Sequence, residues 1–531
     1  MTAAGLNETT VICGLERLGL RVARALIQLG EKVVIVAESP DPALLREARR
    51  AGARYVQGRA DEIAHLSGAS IESARCLVLT DNADLGNLHA ALSAREANPR
   101  LWIVMRMFNA DLAGRAGRLL PGSRVLSASS EAAPYFAADA LGLATAPARH
   151  VWGRQLLILH APPESAPAEH DVQLDGLRLA PVDPPPLRIR PRSRRFRRLR
   201  RAVQAFFDVR FGVIMGAVAT LMAVSTVVYH AALQLSWLDA FYFTATASVN
   251  GFNELGLLHE PAWVKLYGVG FVFAAAVQLA ALFALLVDAV AGANILEALG
   301  VPRGRMRNHV IVVGLGNTGY RTARAVLDAG VEVAAAENAE RGRFISVARR
   351  QGVPVLVADG RYRDSLRALS VEHARAIVAT TDDDLANLET ALTARELNPQ
   401  ARVVARLFDQ ELADRAQHLL GINACYSTSG LATPAFVAAA LGDGVLTTIE
   451  RGSRVWLVGQ VVVQAGSRLR GARTASLEEP GELRLLAVRA EGVACWRPGW
   501  PERLEAGHAV LVVCGRERWQ RLRAQAGHPV G

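Results

Sequence analysis

TDNADLGNLHAALSAREANP at residues 80–99 returns as TTDDDLANLETALTARELNP at residues 380–399, and this recurrence decides the fold. The offset of 300 residues holds without a gap for Gly14 and Gly314, Gly19 and Gly319, Asn87 and Asn387, Arg106 and Arg406, Pro134 and Pro434, and Gly142 and Gly442. A register kept over that length means one fold used twice. Each copy alternates short apolar runs with helical patterns. In the second, His309–Val313, Val331–Ala336, Val353–Val357, Ala376–Ala379 and Arg402–Arg406 read as strands, and Thr318–Asp328, Arg341–Arg350 and Leu385–Glu396 as helices. Strands separated by helices need crossover connections, which predicts a parallel, Rossmann-type α/β sheet in each copy.

The second copy carries GLGNTG at Gly314, Leu315, Gly316, Asn317, Thr318 and Gly319, after a strand and at the start of a helix. That is the setting this otherwise weak motif needs. Gly316 lets the backbone approach a pyrophosphate, and the helix N-terminus supplies amide donors and partial positive charge. Glu337 ends the second strand 21 residues later, where a carboxylate accepts hydrogen bonds from ribose hydroxyls. Asp359 closes the third strand at the same sheet edge. In the first copy these three positions hold Glu16, Ala37 and Arg59, with Glu38 next to Ala37 as a substitute acid. A glutamate where phosphates should lie is wrong in shape and in sign. The first copy is therefore expected to be degenerate in nucleotide binding.

These features resemble the regulators of potassium conductance, the RCK or TrkA-N type domains of bacterial potassium uptake systems and potassium channels. The glycine motif, the acid ending the second strand, T-x-D-D-x-x-x-N at Thr380–Asn387 and R-x-F at Arg406–Phe408 occur in order. The resemblance covers residues 7–145 and 307–445. It implies regulatory binding of NAD(H), ADP or ATP, adds Thr380 to the nucleotide site, and implies assembly into dimers and rings. Residues 446–531, with strands at Arg454–Val463, Leu483–Arg489 and Ala509–Cys514, look like the small C-terminal TrkA-C-like α+β domain of that family. Only a proline-rich remnant of it is expected after the first copy, within 146–202.

Composition narrows the remaining choices. The 531 residues suffice for three or four domains. Five scattered cysteines without CxxC spacing argue against a zinc site or a disulfide framework, so no metal is expected. Residues 1–10 lack the basic and apolar pattern of a signal peptide, so the first domain is expected to stay in the cytoplasm. The net charge of +10 is concentrated in nine arginines between Leu187 and Ala202. No nucleic-acid motif accompanies them, and they directly precede an apolar stretch. They read as a cytoplasmic topology signal with affinity for anionic lipid, and not as a nucleic-acid site.

Phe211–Leu233 contains 23 residues without Asp, Glu, Lys or Arg, and Leu266–Gly292 is interrupted only by Asp288. As helices both exceed the roughly 30 Å hydrocarbon thickness of a bilayer. The expected layout is a membrane domain at 203–300, with helices at 211–233 and 264–292 joined by a segment at 236–263. It lies between an N-terminal domain at 1–145 and its repeat at 301–445, both cytoplasmic. In the joining segment, Trp237–Ala247 reads as a short helix followed by SVNGFNE. This resembles the pore helix and filter of two-helix potassium channels, and it implies a filter at Ser248, Val249, Asn250, Gly251, Phe252, Asn253 and Glu254. Asn250 and Asn253 depart from the family's valine and glycine. Asp288 is a candidate for a carboxylate ring at the inner pore mouth.

Three readings follow. The first is a homotetrameric cell-membrane channel for K+ or other monovalent cations, gated by a nucleotide in the second copy. The second is a non-conducting membrane-anchored nucleotide sensor that regulates a transporter. The third, an NAD-dependent oxidoreductase, is disfavoured because no substrate domain with a positioned acid or base is present. The protein is thus expected not to be an enzyme.

Overall fold

The computed structural model describes residues 9–143, 148–152, 154–159, 172–174, 177–182, 209–250, 260–299, 306–442, 444–451, 454–497 and 499–528. The arginine run at 187–202 and the expected filter residues Gly251, Phe252, Asn253 and Glu254 lie outside them, as does the side chain of Asp288.

Each copy folds as expected. β1 (Thr9–Cys13), β2 (Lys32–Ala37), β3 (Arg54–Gln57), β4 (Cys76–Leu79), β5 (Trp102–Arg106) and β6 (Ser123–Leu126) form one parallel sheet in the order β3-β2-β1-β4-β5-β6. The strands of the first copy's centre are apolar throughout because helices cover both faces of the sheet. The second copy repeats this order with strands of its own, numbered after the four that follow the first copy. Those four are β7 (Ala148–Val151), β8 (Arg154–Leu159), β9 (Val172–Leu174) and β10 (Leu177–Val182). The second sheet then runs β13 (Val355–Val357), β12 (Val333–Glu337), β11 (Val310–Val313), β14 (Ala376–Ala379), β15 (Arg402–Arg406) and β16 (Ala424–Tyr426). Strand order reverses between β1 and β4, and between β11 and β14. A crevice opens at the carboxyl ends of those strands.

The two copies share their cores by exchanging helices. Helix Ala128–Ala140, the last of the first copy, packs on helix Asn317–Asp328 of the second; Thr428–Leu441, its repeat, packs on Arg17–Gln28 of the first. Phe136 is fully buried in the cluster built on Val310, Val312 and Val378, and Phe436 in the cluster of Leu18, Val22 and Ile35. The C-terminal carbonyls that every helix leaves open are met by the opposite copy. Arg75 donates to Ala440 O at 2.8 Å and Trp102 Nε1 to Ala439 O at 2.7 Å; reciprocally, Arg375 donates to Leu141 O at 2.8 Å and Arg402 Nε to Asp139 O at 2.7 Å.

The segment expected to be a remnant is a folded sheet. β7 to β10 pair antiparallel in the order β7-β8-β10-β9 and lie against the C-terminal sheet β17 (Val445–Arg451), β18 (Arg454–Val462), β21 (Ala509–Cys514), β19 (Leu483–Ala490) and β20 (Val493–Trp496). Val151 and Leu179 join Ile449, Trp456 and Leu486 in one buried cluster, and Trp152 Nε1 donates to Gln460 Oε1 at 2.8 Å. Strands this short gain stability from a partner sheet that covers one face.

Between the copies stand helices Val209–Leu233 and Ala262–Leu299, with Trp237–Asn250 between them. Gly212–Leu233 and Ala262–Leu285 are long and apolar enough to cross a membrane. Tyr229 ties the three together, edge-on to Phe243, Tyr267 and Phe271 with centroids 5.1, 5.7 and 6.0 Å away. The helix expected at Trp237–Ala247 runs on through Asn250, and Ser248 Oγ donates back to Ala245 O at 2.7 Å, as serine does on a helix.

Candidate functional site

The second copy's glycine loop leaves β11 at Gly314, whose φ of +84° suits glycine. A Cβ there would meet Thr381 N at 2.8 Å. At Gly319, a Cβ would fall on Gly314 O and 2.7 Å from Thr380 Oγ1. Gly319→Ala is expected to destabilise the second copy by about 1–3 kcal/mol through overpacking, read by denaturant unfolding, and to weaken nucleotide binding at the displaced loop. Gly316 is different: nothing stands within 4 Å of its Cβ direction. The loop is open there. Tyr320 is the first residue of the helix to find an internal acceptor, Gly316 O at 2.9 Å, so the N–H groups of Asn317, Thr318 and Gly319 precede the helical ladder.

The other expected residues fall around this loop in distinct roles. Glu337 accepts from Leu315 N–H at 2.6 Å and from Ala339 N–H at 3.0 Å, one bond to each carboxylate oxygen. Each oxygen keeps a lone pair for a ribose hydroxyl. Leu315 itself is core. Asp359 is held by Arg361, whose Nε and Nη2 reach it at 2.9 and 2.7 Å; those hydrogen bonds keep its carboxyl below the usual range. Thr380 is buried, and its hydroxyl donates inward to Val313 O at 3.1 Å and Gly314 O at 2.9 Å. It positions the loop, with its hydroxyl proton already used. Gly314, Gly316, Asn317, Thr318, Glu337, Asp359 and Thr380 all line one cavity of about 1350 Å³, whereas Leu315 and Gly319 stand behind it.

That cavity also belongs to the first copy. Glu16, at the position of Gly316, lines it with its carboxylate held by Asn82 Nδ2 at 2.6 and 2.5 Å and by Arg106 at 3.7 Å. Burial pushes its carboxyl above the usual range, and Arg106 opposes the shift. The expected loss at Arg59 is less complete than the substitution indicates. Arg59 pairs with Asp61 at 2.8 Å, so the acid and base of the Asp359–Arg361 pair are present in reversed order. Sequence reading did not place Arg361, Thr428 or Ser429 in the site. The matching pairs 59/61 and 359/361, opposite in sign and two residues apart, were the available signal for the first. Thr428 and Ser429 arrive only through the exchanged helix.

Arg106 and Arg406 mark where the copies meet. Each guanidinium lies over the phenylalanine two residues on, 4.5 Å from Phe108 and 4.4 Å from Phe408. Burial lowers the pKa of Arg406; Asp382 and Asp384 oppose this, and Arg106 adds repulsion. Across the seam Arg17 donates to Phe408 O, and Arg321 to Phe108 O, both at 3.3 Å. Two glycine-loop sheets thus face one cavity, one loop open and one closed by its own glutamate.

Fold and site together define a protein of paired Rossmann-type domains flanking two membrane-length helices. Residues 10–119 and 310–428 each match the TrkA-N domain family. The fold is similar to the crystal structure of the GsuK RCK domain, with a TM-score of 0.50 and 14% identity over 99% of this chain and 96% of that one. It is equally similar to the GsuK channel, with a TM-score of 0.50 and 15% identity over 99% and 80%. In sequence, a Trk system potassium uptake protein TrkA homolog of Pyrococcus abyssi is 34% identical over 104 residues, 19% of this chain and 44% of that protein. An uncharacterized protein of Methanothermus fervidus is 25% identical over 190 residues, 34% of this chain and 29% of that protein. The chain thus spans less than half the length of either relative.

Proposed function

We propose that the protein is a cell-membrane cation channel of potassium-channel type, regulated by a nucleotide bound in its second TrkA-N domain. The observation that carries this reading is the open loop at Gly316, with Glu337 and the first-turn N–H groups around it, in the domain that follows the membrane hairpin. Helix Ala262–Leu299 approaches β13, whose end leads to Asp359. A ligand that draws β13 toward the loop therefore acts on the helix that would line the pore. Such a ligand shifts a gate only by its differential affinity for the two pore states. NAD(H), ADP and ATP fit the donor set. The domain serves as a sensor without hydride transfer. Four chains supply eight TrkA-N domains for a gating ring, K+ is the permeant ion, and the arginine run holds the cytoplasmic face against anionic lipid. The name of the Pyrococcus relative, a potassium uptake protein, supports the potassium assignment.

Helical Ser248–Asn250 favours a second reading, a membrane-anchored nucleotide sensor that does not conduct. One experiment separates them. In liposomes holding the full chain, K+ flux should change with NAD(H), ADP or ATP, and Gly316→Glu should abolish the response and lower nucleotide affinity at least tenfold, since it builds the first copy's closure into the second. Nucleotide binding without flux under any condition would leave the sensor reading alone standing.

A further inference from the structure

Deep in both crevices the same bond joins the walls: Thr80 Oγ1 donates to Gly14 O and Thr380 Oγ1 to Gly314 O, each at 2.9 Å. At the mouth the copies differ. Glu16 precedes helix Arg17–Gln28 with φ −95° and ψ −175°, and Gly316 precedes its counterpart with φ −72° and ψ −165°, so the two loops share one backbone conformation and differ by a side chain. That side chain makes no bond to the N–H groups of its own helix. It crosses the crevice to the loop after β4, where Asn82 Nδ2 donates to its two oxygens at 2.6 and 2.5 Å, and approaches Arg106 at the end of β5 at 3.7 Å. The second copy has Asp382 where the first has Asn82. Glycine with aspartate is thus replaced by glutamate with asparagine. Each crevice mouth keeps one carboxylate, and in the first copy it meets an amide on the opposite wall.

The loop that Glu16 reaches lacks the local support of its counterpart. Helix Asp84–Ala97 starts from Ala83, which offers no side-chain cap, whereas Asp383 caps helix Asp384–Leu397 by accepting from Leu385 N–H at 2.8 Å and Ala386 N–H at 3.3 Å. Thr381 Oγ1 also donates to Asn387 Oδ1 at 2.8 Å, a bond that the carboxylate of Asp81 at the matching position cannot donate. The surroundings of the Glu16 carboxylate are those of an anion site. Leu20 is the first residue of its helix to find an internal acceptor, Glu16 O at 2.9 Å, so the N–H groups of Arg17, Leu18 and Gly19 precede the helical ladder. Arg106 attracts the carboxylate, and Asp81, which lines the same cavity, repels it.

Resting on nucleotide binding by the second copy, we infer that Glu16 is a built-in ligand of the first: its carboxylate takes the place that the open loop at Gly316 offers a phosphate, ties the walls of the crevice together through Asn82 and Arg106, and holds that copy closed without any bound molecule. The first copy is then the fixed arm of the pair. Phe136 and Phe436 anchor each copy's last helix in the other, so a movement of the second crevice on ligand binding works against a partner that does not yield. The carboxylate is part of the chain, so no change of ligand concentration releases it. The pair answers to one ligand per chain.

Hydrogen exchange on the full chain in detergent tests this, with inorganic phosphate and ADP as probes. In Glu16→Gly the amides of residues 82–87 are expected to exchange about threefold to tenfold faster than in the wild type, the scale of one hydrogen bond to a half-exposed group. Millimolar inorganic phosphate should restore slow exchange in that variant, because the glycine frees the place while the helix N–H groups, Asn82 and Arg106 still face it; in the wild type phosphate should change nothing there. Asn82→Ala should speed exchange equally but resist rescue, since the carboxylate still fills the place, and this variant carries the test of the tie should Glu16→Gly fail to fold. ADP should slow exchange at residues 382–387 of the wild type and leave residues 82–87 unmoved. Exchange at 82–87 indifferent to both substitutions, Glu16→Gly that phosphate does not rescue, or ADP protection of 82–87 in the wild type overturns the inference, while protection of 382–387 upholds the nucleotide site. ADP that slows neither loop overturns the nucleotide reading itself.

Discussion

Phe436→Ala is expected to unfold the N-terminal sheet ahead of the domain in whose sequence it lies. Phe436 is fully buried, and the cluster around it contains Leu18, Val22, Leu26 and Ile35 of the first copy and Leu457 and Trp519 of the C-terminal domain. Truncating a buried phenylalanine removes its transfer free energy and leaves a cavity, together about 3–5 kcal/mol. The loss should appear in hydrogen exchange as faster amide exchange at β1, β2 and β4, with β11, β12 and β14 protected as before. Phe136→Ala should give the reverse, because Phe136 packs edge-on to Tyr426 at 5.4 Å inside the second copy. Exposure confined to the mutated residue's own sequence domain in both variants would refute the exchange.

Removing the carboxylate of Glu31 should be comparably damaging. Its side chain is fully buried and accepts from Thr10 Oγ1 at 2.8 Å, from Arg75 at 3.0 Å and from Arg516 at 2.5 Å. Arg516 also donates to Leu29 O at 2.9 Å, and Arg75 to Ala440 O. The junction therefore fastens the first copy, the exchanged helix and the C-terminal domain at one point. Glu31→Ala takes the buried carboxylate from two largely buried guanidiniums, a loss of about 3 kcal/mol. The second copy solves the same position with Val331. Adding Arg516→Met to Glu31→Val should accordingly restore much of the stability that either substitution removes alone. A double-mutant cycle of unfolding free energies reads this coupling; additive losses would show that the pair is not coupled.

Much of the architecture was legible because parallel sheets bury their strands on both faces. Runs such as Val310–Val313 and Ala376–Ala379 can hardly be anything else, and the 300-residue offset then transfers every assignment to the other copy. The open Gly316 and the closed Glu16 were legible for the same reason, since one position in a known loop either has a side chain or does not. The helix before the expected filter runs three residues past Ala247, because nothing local stops it there: Thr244, Thr246 and Ser248 all bond back to carbonyls of the preceding turn. Thr380 was placed at the site correctly, but which way its hydroxyl points depends on the Val313 and Gly314 carbonyls beside it.

By itself the amino-acid sequence determined two like α/β domains, two membrane-length helices between them and one intact glycine loop, all of which follow from local periodicity and from the side chain present or missing at single positions. Only the tertiary structure decided that helices Ala128–Ala140 and Thr428–Leu441 change partners, that the segment after the first copy folds against the C-terminal sheet, and that both loops face one cavity. Those outcomes depend on which apolar face covers which. The uncharged helix Thr428–Leu441 can bury itself against either sheet, so its own residues leave the choice open, and the carbonyls, arginines and aromatic rings of the opposite copy make it.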